Sequence, residues 1–558
     1  MTIINTSFLF FFVVFISIFS SALGRHERRQ SDLPTVDLGY EIHQGSVNST
    51  GNYYIFSNIL YAEQPVGERR FQKPVAISGT GSGLNNGTSN GDVVICPQAY
   101  PQWVINIMAS RSGVDNATMA DFLNNQAGQT EACLLLDVYV PIDIFNRGSA
   151  AKAPVLVWIH GGGFTFGSKT LYGSPASLIA RSQRNGGDGI IFVSINYRLG
   201  MFGWLAGDDV TPNLGLYDQR LALDWVAKYI ALFGGSPDKV TAMGESAGAA
   251  SIVHHITAQG GTEPAPFQAA IPQSPAFQFN IDLAAGYRRT LSEASRQVGG
   301  TVDDVAALRK LPAETLISIN QATVTSADVG TFGFGPGPDG SYVTDIPQVL
   351  LYEGKFDSDV NLLISHTSNE SIPFLPQNIL TDDDVRSYVR ASLPEASENT
   401  VDALLTDPAL YPDILDGRYP WTTQFERAAR LSSDTAFACI TRHLSVARGN
   451  DTHNYIFSYP PGVHATDVAY VFFNGDTTTL NNGLPVNAEL AWQLQDYIVA
   501  FVQTGDPNAG QDTPLRFPVY GSEGRVLELG YDGFRQTIDD LKSERCTWIL
   551  KAMADGRL

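Results

Sequence analysis

The chain of 558 residues has few basic side chains for its length. Lysine and arginine together number 36, against 57 aspartates and glutamates, which gives a formal net charge of −21 at pH 7. A surface this negative repels phosphate backbones, and no basic run in the sequence offsets it. The composition therefore argues against nucleic acid as a partner.

Long hydrophobic runs are also scarce, and after residue 24 none is long and apolar enough to cross a bilayer. The run from Phe8 to Ala22 ends in small residues up to Gly24, a pattern typical of a cleaved signal peptide. We therefore interpret residues 1–24 as a signal peptide and expect a secreted, extracellular protein without a stable membrane anchor. No lysine or arginine precedes the run, so an uncleaved N-terminal anchor is the alternative. The pair Arg28-Arg29 is a candidate for a further processing cut.

Cysteine is rare, and an even number of cysteines behind a secretion signal is typical of disulfides. The four cysteines, for which the sequence alone allows three pairings, are Cys96, Cys133, Cys439 and Cys546. Sequons for N-linked glycosylation fit the same compartment, and they lie at Asn48, Asn86, Asn116 and Asn450. The sequence has no histidine and cysteine cluster with the spacing of metal ligands, so we expect neither a metal nor another cofactor.

Short apolar runs rich in β-branched residues alternate with segments of helical periodicity through the middle of the chain. The strand candidates are Val155–Ile159, Gly189–Ile195 and Val240–Met243, and the helix candidates are Leu216–Phe233 and Ala247–Ala258. Strands that alternate with helices predict an α/β fold with a large, mostly parallel sheet flanked by helices. No repeat or long linker divides the chain, so we interpret residues 25–558 as one domain.

A serine lies between one of these strands and the helix that follows it. Ser246 is the centre of Gly244-Glu245-Ser246-Ala247-Gly248, which matches the G-x-S-x-G motif of a strand-to-helix turn with an exposed nucleophile. A second match, centred on Ser89, lies in the polar loop Ser78–Gly91, with no strand before it and no helix after it. We therefore predict that Ser246 is a catalytic nucleophile and that the second match is a coincidence.

A serine nucleophile also needs hydrogen-bond donors for the oxyanion that forms on the substrate. His160-Gly161-Gly162-Gly163-Phe164 follows the first strand candidate, where unhindered amides can point into a site. The expected donors are the amides of Gly162, Gly163 and Ala247, and the alternative is an ordinary glycine-rich turn.

With these motifs the sequence resembles the type B carboxylesterase/lipase family, which includes fungal lipases and cholinesterases. The resemblance covers essentially all of the chain after residue 24. Its landmarks, in order, are Tyr61–Phe71, Glu131–Tyr139, the His160 glycine motif, Asn196–Arg198, Phe233–Pro237 and the Ser246 motif. The local departures from the family pattern are Ala132, Asp137 and Pro275. The resemblance implies an α/β-hydrolase fold, hydrolysis of a small-molecule or lipid ester, and a triad of serine, acid and histidine.

The acid of the triad follows a strand in this family, in a motif that ends Glu-Gly. Here Val360–Ser365 is the strand candidate, and Asn369-Glu370-Ser371 occupies the corresponding position with serine in place of glycine. We predict that Glu370 is the acid, with Asp339 as the alternative. Because a catalytic acid must contact the histidine, a glycan on the overlapping sequon at Asn369 is expected to be sterically excluded.

The base of the triad is expected after a later strand. His464 follows the strand candidate His453–Tyr459 in a loop that matches the family position. Catalytic groups of open α/β sheets gather beyond the carboxyl ends of the strands, and His464 satisfies that rule. We predict that His464 is the base, whereas His254 and His255 are interpreted as helix packing residues.

The resemblance has further implications for the cysteines and the substrate pocket. It pairs Cys96 with Cys133 and Cys439 with Cys546, and it places Phe332 in the acyl pocket, where a core phenylalanine is the alternative. Trp103 lies in an apolar segment of the Cys96–Cys133 loop, which we interpret as a lid over the pocket rather than a static loop. The leading hypothesis is a secreted carboxylesterase or lipase. The alternative, a catalytically silent binding or adhesion module, is disfavoured because all three triad positions are intact.

Overall fold

The computed structural model describes residues 33–88, 93–278, 283–481, 484–509 and 515–558. The predicted signal peptide (1–24), the Arg28-Arg29 pair and Ser89 of the second serine motif lie outside the described residues.

The described strands are short at the N-terminus and longest in the middle of the chain. In chain order they are β1 Thr35–Asp37, β2 Ile42–Gln44, β3 Ser46–Asn48, β4 Tyr53–Leu60, β5 Leu84–Asn85, β6 Leu135–Pro141, β7 Ala153–Ile159, β8 Ile191–Ile195, β9 Gly235–Glu245, β10 Ala269–Gln273, β11 Asn361–Thr367, β12 His453–Phe457, β13 Leu480–Asn481, β14 Leu484–Pro485, β15 Arg525–Gly530 and β16 Gly533–Ile538.

Helices occupy most of the connections between these strands. In chain order they are α1 Gln102–Ser112, α2 Asn116–Asn124, α3 Ile142–Arg147, α4 Ala176–Ser182, α5 Gly200–Trp204, α6 Leu214–Tyr229, α7 Ala247–Ile256, α8 Leu283–Val298, α9 Val305–Arg309, α10 Ala313–Thr325, α11 Pro347–Tyr352, α12 Asp382–Ser392, α13 Glu398–Thr406, α14 Gln424–Ser433, α15 Cys439–Ala447, α16 Val468–Val471, α17 Ala488–Thr504 and α18 Glu544–Ala554.

One large sheet organises the molecule. Its strand order is β16-β15-β12-β11-β10-β9-β7-β8-β6-β4-β3. The strands from β8 to β15 in that order pair in parallel, and antiparallel pairs occur only towards the two edges. The prediction of a large, mostly parallel sheet flanked by helices is confirmed.

The central strands are buried on both faces, which explains their continuous apolar sequence. Every residue of β7 is buried, as parallel strands covered by helices on both sides require. Helix α7 is also buried along its whole length, and its first residues are alanine and glycine, so that the helix packs closely on the sheet. Because β9, β11 and β12 run in parallel, their carboxyl ends meet at one edge of the sheet.

Within the described residues, every helix is too short or too polar to span a membrane.

Candidate active site

Ser246 lies in a sharp turn between the end of β9 and the start of α7. Its backbone adopts φ 57° and ψ −121°, a conformation that costs energy for a residue with a side chain and that is typical of a strained nucleophile turn. The Ser246 amide donates to the carbonyl of Gln273 at the end of β10, at a distance of 3.0 Å, which fixes the turn to the neighbouring strand.

The two glycines of the motif allow this turn to lie against β7. A Cβ atom at Gly244 would come within 2.7 Å of the carbonyl oxygen of Ile159, and one at Gly248 within 2.0 Å of the same atom. Such contacts are far shorter than packed atoms tolerate. The positions therefore require glycine for a steric reason, as the motif predicts.

Glu370 and His464 come together at the same edge of the sheet, in the loops that follow β11 and β12. The Nδ1 atom of His464 lies 2.6 Å from Oε2 of Glu370. The other carboxylate oxygen of Glu370 accepts a hydrogen bond from the amide of Thr367 at 2.6 Å. Glu370 is fully buried, and the side chain of His464 is 7% exposed. The acid is thus held rigidly against one ring nitrogen of the histidine.

The opposite ring nitrogen of His464 is the atom that would face the Ser246 hydroxyl in the predicted triad. It makes no hydrogen bond to the described residues and lies 3.1 Å from Oε1 of Glu245. In enzymes without bound substrate, catalytic hydrogen bonds are often long and tighten only in the complex. The rings of Phe374 and Phe437 pack on the imidazole, with centroid distances of 5.2 and 4.8 Å.

Two buried acids beside His464 were not singled out by the sequence analysis. Glu245 directly precedes the nucleophile within the G-x-S-x-G motif and is 1% exposed, and Asp467 follows His464 by three residues and is fully buried. Burial raises the pKa of Glu245 to about 8 and the pKa of Asp467 to about 6. The available signal in the sequence was that each acid lies within three residues of a predicted triad residue.

These acids change the protonation chemistry of the site. Burial by itself would lower the pKa of His464, but the nearby carboxyl groups of Glu245 and Glu370 outweigh burial and raise this pKa. Burial would likewise raise the pKa of Glu370, yet His464 and the hydrogen bonds to the carboxylate lower it. Glu370 is therefore ionised beside a histidine whose charged form is stabilised.

Asp339, the alternative acid, has a different role in the structure. Its carboxylate accepts hydrogen bonds from the amides of Ser341 and Val343 and from the side chain of Asn213. These contacts fix a turn. Its hydrogen-bond partners do not include His464, so the geometry favours Glu370.

The side chain of Asn369, next to Glu370, faces the surface of the protein. Its side chain is exposed and donates to the carbonyl of Pro461 at 2.8 Å, whereas Glu370 faces inwards. The steric reason for excluding a glycan at Asn369 therefore does not hold.

The glycine-rich loop after β7 lies beside the nucleophile. Gly163 and Ala247 line the same cavity as Ser246, and Gly162 has φ 112°, a value open to glycine. Ala247 is the first residue of α7, so its N–H has no acceptor within the helix. A Cβ atom at Gly163 would overlap the ring of Phe332 at 2.3 Å. This arrangement provides unhindered amides close to Ser246.

A cavity of about 410 Å³ opens over Ser246. Its apolar walls include Phe277, Phe332, Phe374 and Phe437, and exposed polar residues such as Ser387 lie among the other lining residues. A cavity of this size and lining is typical of sites for small organic molecules. Phe332, predicted for the acyl pocket, is therefore part of the cavity wall.

Trp103 lies behind this wall rather than among the lining residues. Its indole N–H donates to the carbonyl of Thr331 at 2.8 Å, and its ring contacts Phe332 and Phe374 at centroid distances of 5.3 and 5.8 Å. The predicted lid segment forms helices α1 and α2, which enclose a small core of their own around Ile105. The loop is thus folded against the pocket, and the lid hypothesis stays a prediction.

The structure joins the cysteines in the pairs that the resemblance implies, Cys96 with Cys133 and Cys439 with Cys546. Among the predicted glycosylation sites, Asn86 and Asn116 are exposed, whereas Asn48 and Asn450 are half-buried. The Asn48 amide also donates to the hydroxyl of Tyr53. Glycosylation of all four remains a prediction.

Comparison with known proteins assigns the family. The profile of the Carboxylesterase family matches residues 40–549. Carboxylesterase patB of Aspergillus clavatus is 40% identical over 548 residues, covering 93% of this chain and 96% of the relative. Secreted lipase 1 of Botryotinia fuckeliana is 30% identical over 517 residues and covers 87% of each chain. The crystal structure of Aspergillus niger EstA has the same fold, with a TM-score of 0.78, 24% identity and coverage of 94% of this chain and 99% of that chain. This α/β-hydrolase chain therefore belongs to the carboxylesterase family and is a carboxylic ester hydrolase.

Proposed function

We propose that this chain is a secreted ester hydrolase in which Ser246, His464 and Glu370 form a catalytic triad. The observation that carries the proposal is the 2.6 Å contact between His464 Nδ1 and Glu370 Oε2, at the sheet edge that also bears the Ser246 turn. A buried acid on one ring nitrogen leaves the other nitrogen to act as the base.

The mechanism follows from these positions. His464 removes the proton of the Ser246 hydroxyl, and the serine oxygen attacks the ester carbonyl to form a tetrahedral intermediate. His464 then protonates the leaving alcohol, and an acyl-enzyme remains on Ser246. Water attacks the acyl-enzyme with His464 again as base, which releases the carboxylic acid and restores the serine. Glu370 orients the imidazole and stabilises its charged form throughout.

The oxyanion of each tetrahedral intermediate is stabilised by the amides of Gly162, Gly163 and Ala247. Preorganised donors of this kind contribute about 3 kcal/mol each to the transition state. The aromatic walls around Phe332 hold the apolar part of the ester beside these donors.

Secretion is supported by the residues before the mature chain and by its cysteines. Residues 1–24 have the pattern of a signal peptide, and two disulfides fit an oxidising compartment. A relative from Botryotinia fuckeliana is named as a secreted lipase. N-terminal sequencing of protein from the culture medium tests this proposal, and a mature chain that still begins before residue 24 would contradict it.

The triad is tested with Ser246→Ala and, as a matched control, Ser89→Ala. We expect Ser246→Ala to lower kcat by roughly 10⁵-fold or more while the fold is retained, because only the nucleophile is removed. Hydrolysis of p-nitrophenyl esters from acetate to palmitate provides the assay and also defines the preferred chain length. An active Ser246→Ala variant together with an inactive Ser89→Ala variant would overturn the assignment, whereas a parent protein that hydrolyses none of these esters would favour the silent binding module.

A further inference from the structure

A second cavity, of about 230 Å³, lies behind the loop that carries Glu370. It shares no lining residue with the cavity over Ser246. His366, Thr367 and Ser368, at the end of β11, form one side, and Arg430 and Asp540 lie among the residues of the other. Most of these side chains are polar, so the cavity suits a polar ligand or an ion rather than an acyl chain.

Three side chains with metal-ligating atoms lie close together here, and two of them, His366 and Asp540, line the cavity. One ligand atom each from His366, Asp539 and Asp540 lies within 4.8 Å of the others. His366 is the penultimate residue of β11, and the two aspartates follow β16. The ligands therefore come from segments more than 170 residues apart in the sequence, and spacing within the sequence could not reveal the group.

His366 is the unusual member of this group. It is 5% exposed, and the charged groups that face its ring are the carboxylates of Asp539 and Asp540. Buried polar side chains normally have a partner. The buried His255, for example, contacts both Tyr342 and Gln219 at hydrogen-bond distance. His366 lines the polar cavity beside these two carboxylates, so its ring can offer a nitrogen to a cation that all three groups share.

The charges around the cavity favour a cation. Asp434, Asp539, Asp540 and Glu528 contribute four carboxylates. Arg430 and Arg545 pair with Asp434 and Asp540, and Arg535 pairs with Glu528. Four acids and three guanidinium groups leave one negative charge. Asp539 is 1% exposed and accepts hydrogen bonds from the Tyr520 hydroxyl and the Leu541 amide, which leaves lone pairs on both of its oxygens.

We propose that His366, Asp539 and Asp540 form a binding site for a divalent transition-metal ion, with Zn²⁺ as the best match. One imidazole nitrogen and two carboxylate oxygens are the donors that Zn²⁺ accepts at about 2.0–2.2 Å. In a tetrahedral site with bonds of this length the ligand atoms are about 3.4 Å apart, so the three atoms must approach one another by up to about 1.4 Å from their present 4.8 Å limit. Water or a hydroxyl group of the cavity completes the coordination.

The ion would join two distant parts of the fold. His366 precedes Thr367, whose amide holds Glu370, and the aspartates belong to the segment between β16 and α18. A ligand that binds only the folded chain stabilises it by mass action. Zn²⁺ is therefore expected to raise the Tm of the full-length protein without a direct role in ester hydrolysis.

The test uses the full-length protein after treatment with a chelator and dialysis. Isothermal titration with ZnCl₂ is expected to give one ion per chain, and Co²⁺ substitution is expected to give visible d–d absorption bands. His366→Gln and Asp540→Asn should weaken the Kd by more than about tenfold and abolish the rise in Tm. Asp540 has a 56% exposed side chain, so Asp540→Asn keeps the test valid if the buried substitution impairs folding.

His453→Gln is the matched control, because His453 is partly buried, contacts the carbonyl of Pro518 and lies outside the group. It should bind Zn²⁺ like the parent protein. The proposal is overturned if the parent protein binds no stoichiometric Zn²⁺, or if His453→Gln weakens binding as much as His366→Gln.

Discussion

Three buried carboxyl groups surround His464: Glu245, Glu370 and Asp467. Each favours the charged imidazolium, so the base has a higher pKa than the 6.5 of an unperturbed histidine. In the proposed triad His464 accepts the serine proton, which only its neutral form can do. We therefore expect kcat/KM to fall as the pH decreases through a midpoint above 6.5, which a pH profile with a soluble ester measures directly.

Glu245→Gln provides the control for this pH dependence. The substitution removes the carboxyl group that lies 3.1 Å from His464 Nε2. The pKa of His464 should then fall, and the midpoint of the profile should move to lower pH. A parent midpoint at or below 6.5 that does not move in Glu245→Gln would show that these acids leave the base unperturbed.

Substitutions of the two candidate acids separate their roles at the residue scale. Glu370→Gln removes the charge that stabilises the imidazolium, and we expect kcat to fall by roughly 10³–10⁴-fold. Asp339→Asn removes a turn-fixing acceptor that does not line the cavity over Ser246, so most of the activity should remain. Single-turnover measurements on both variants check the assignment, and the reverse order of losses would transfer the acid role to Asp339.

At the scale of the elements, the central strands were predictable because both of their faces are buried, which requires a continuous apolar sequence. The candidate Val155–Ile159 corresponds to β7, Ala153–Ile159, with a difference only at its start. The nucleophile turn was predictable because its glycines are sterically required. In contrast, helices α1 and α2 were not predicted, because the apolar residues between Trp103 and Met108 do not follow one helical face.

Contacts that depend on tertiary structure also could not be predicted from the sequence. The approach of Glu245 to His464 joins residues more than 200 positions apart, through the register of three parallel strands. The grouping of His366 with Asp539 arises in the same way. The pattern of a motif fixes which residues react, whereas the packing of the sheet fixes which charges surround them.

Ile107 allows a test of the Cys96–Cys133 loop as a lid. It is half-buried on α1 and lies outside the small core that holds the loop together, so Ile107→Ser alters an apolar surface without unfolding the helices. If the loop covers the pocket and meets lipid when open, hydrolysis of an emulsified long-chain ester should fall much more than that of a soluble short-chain ester.

Trp103→Ser is the companion variant, because Trp103 supports the cavity wall through Phe332. It removes both the indole contacts and the hydrogen bond to Thr331. We again expect the rate on the long-chain ester to fall more than the rate on the short-chain ester. The short-chain rate should also fall further than in Ile107→Ser. Equal losses on both substrates in Ile107→Ser would mean that the loop is only structural.

At the scale of the whole molecule, the chain combines a net charge of −21 with two disulfides. The charge keeps the molecules apart in solution but also repels like charges within the fold. The disulfides offset this electrostatic repulsion because they lower the conformational entropy of the unfolded chain. The contribution of each disulfide to stability can be predicted from the length of the loop that it closes.

The Cys439–Cys546 disulfide should stabilise the fold more than Cys96–Cys133. Their sequence separations are 107 and 37 residues, and loop-closure entropy scales as (3/2)RT ln n, which favours the longer loop by about 1 kcal/mol. Both cysteines of the longer loop are fully buried in the cluster between α15 and α18. Urea unfolding of the double variants Cys439→Ala/Cys546→Ala and Cys96→Ala/Cys133→Ala measures the two losses, each expected at about 3–5 kcal/mol. A larger loss for the shorter loop would mean that packing around α1 and α2, rather than chain entropy, determines the contribution of these links.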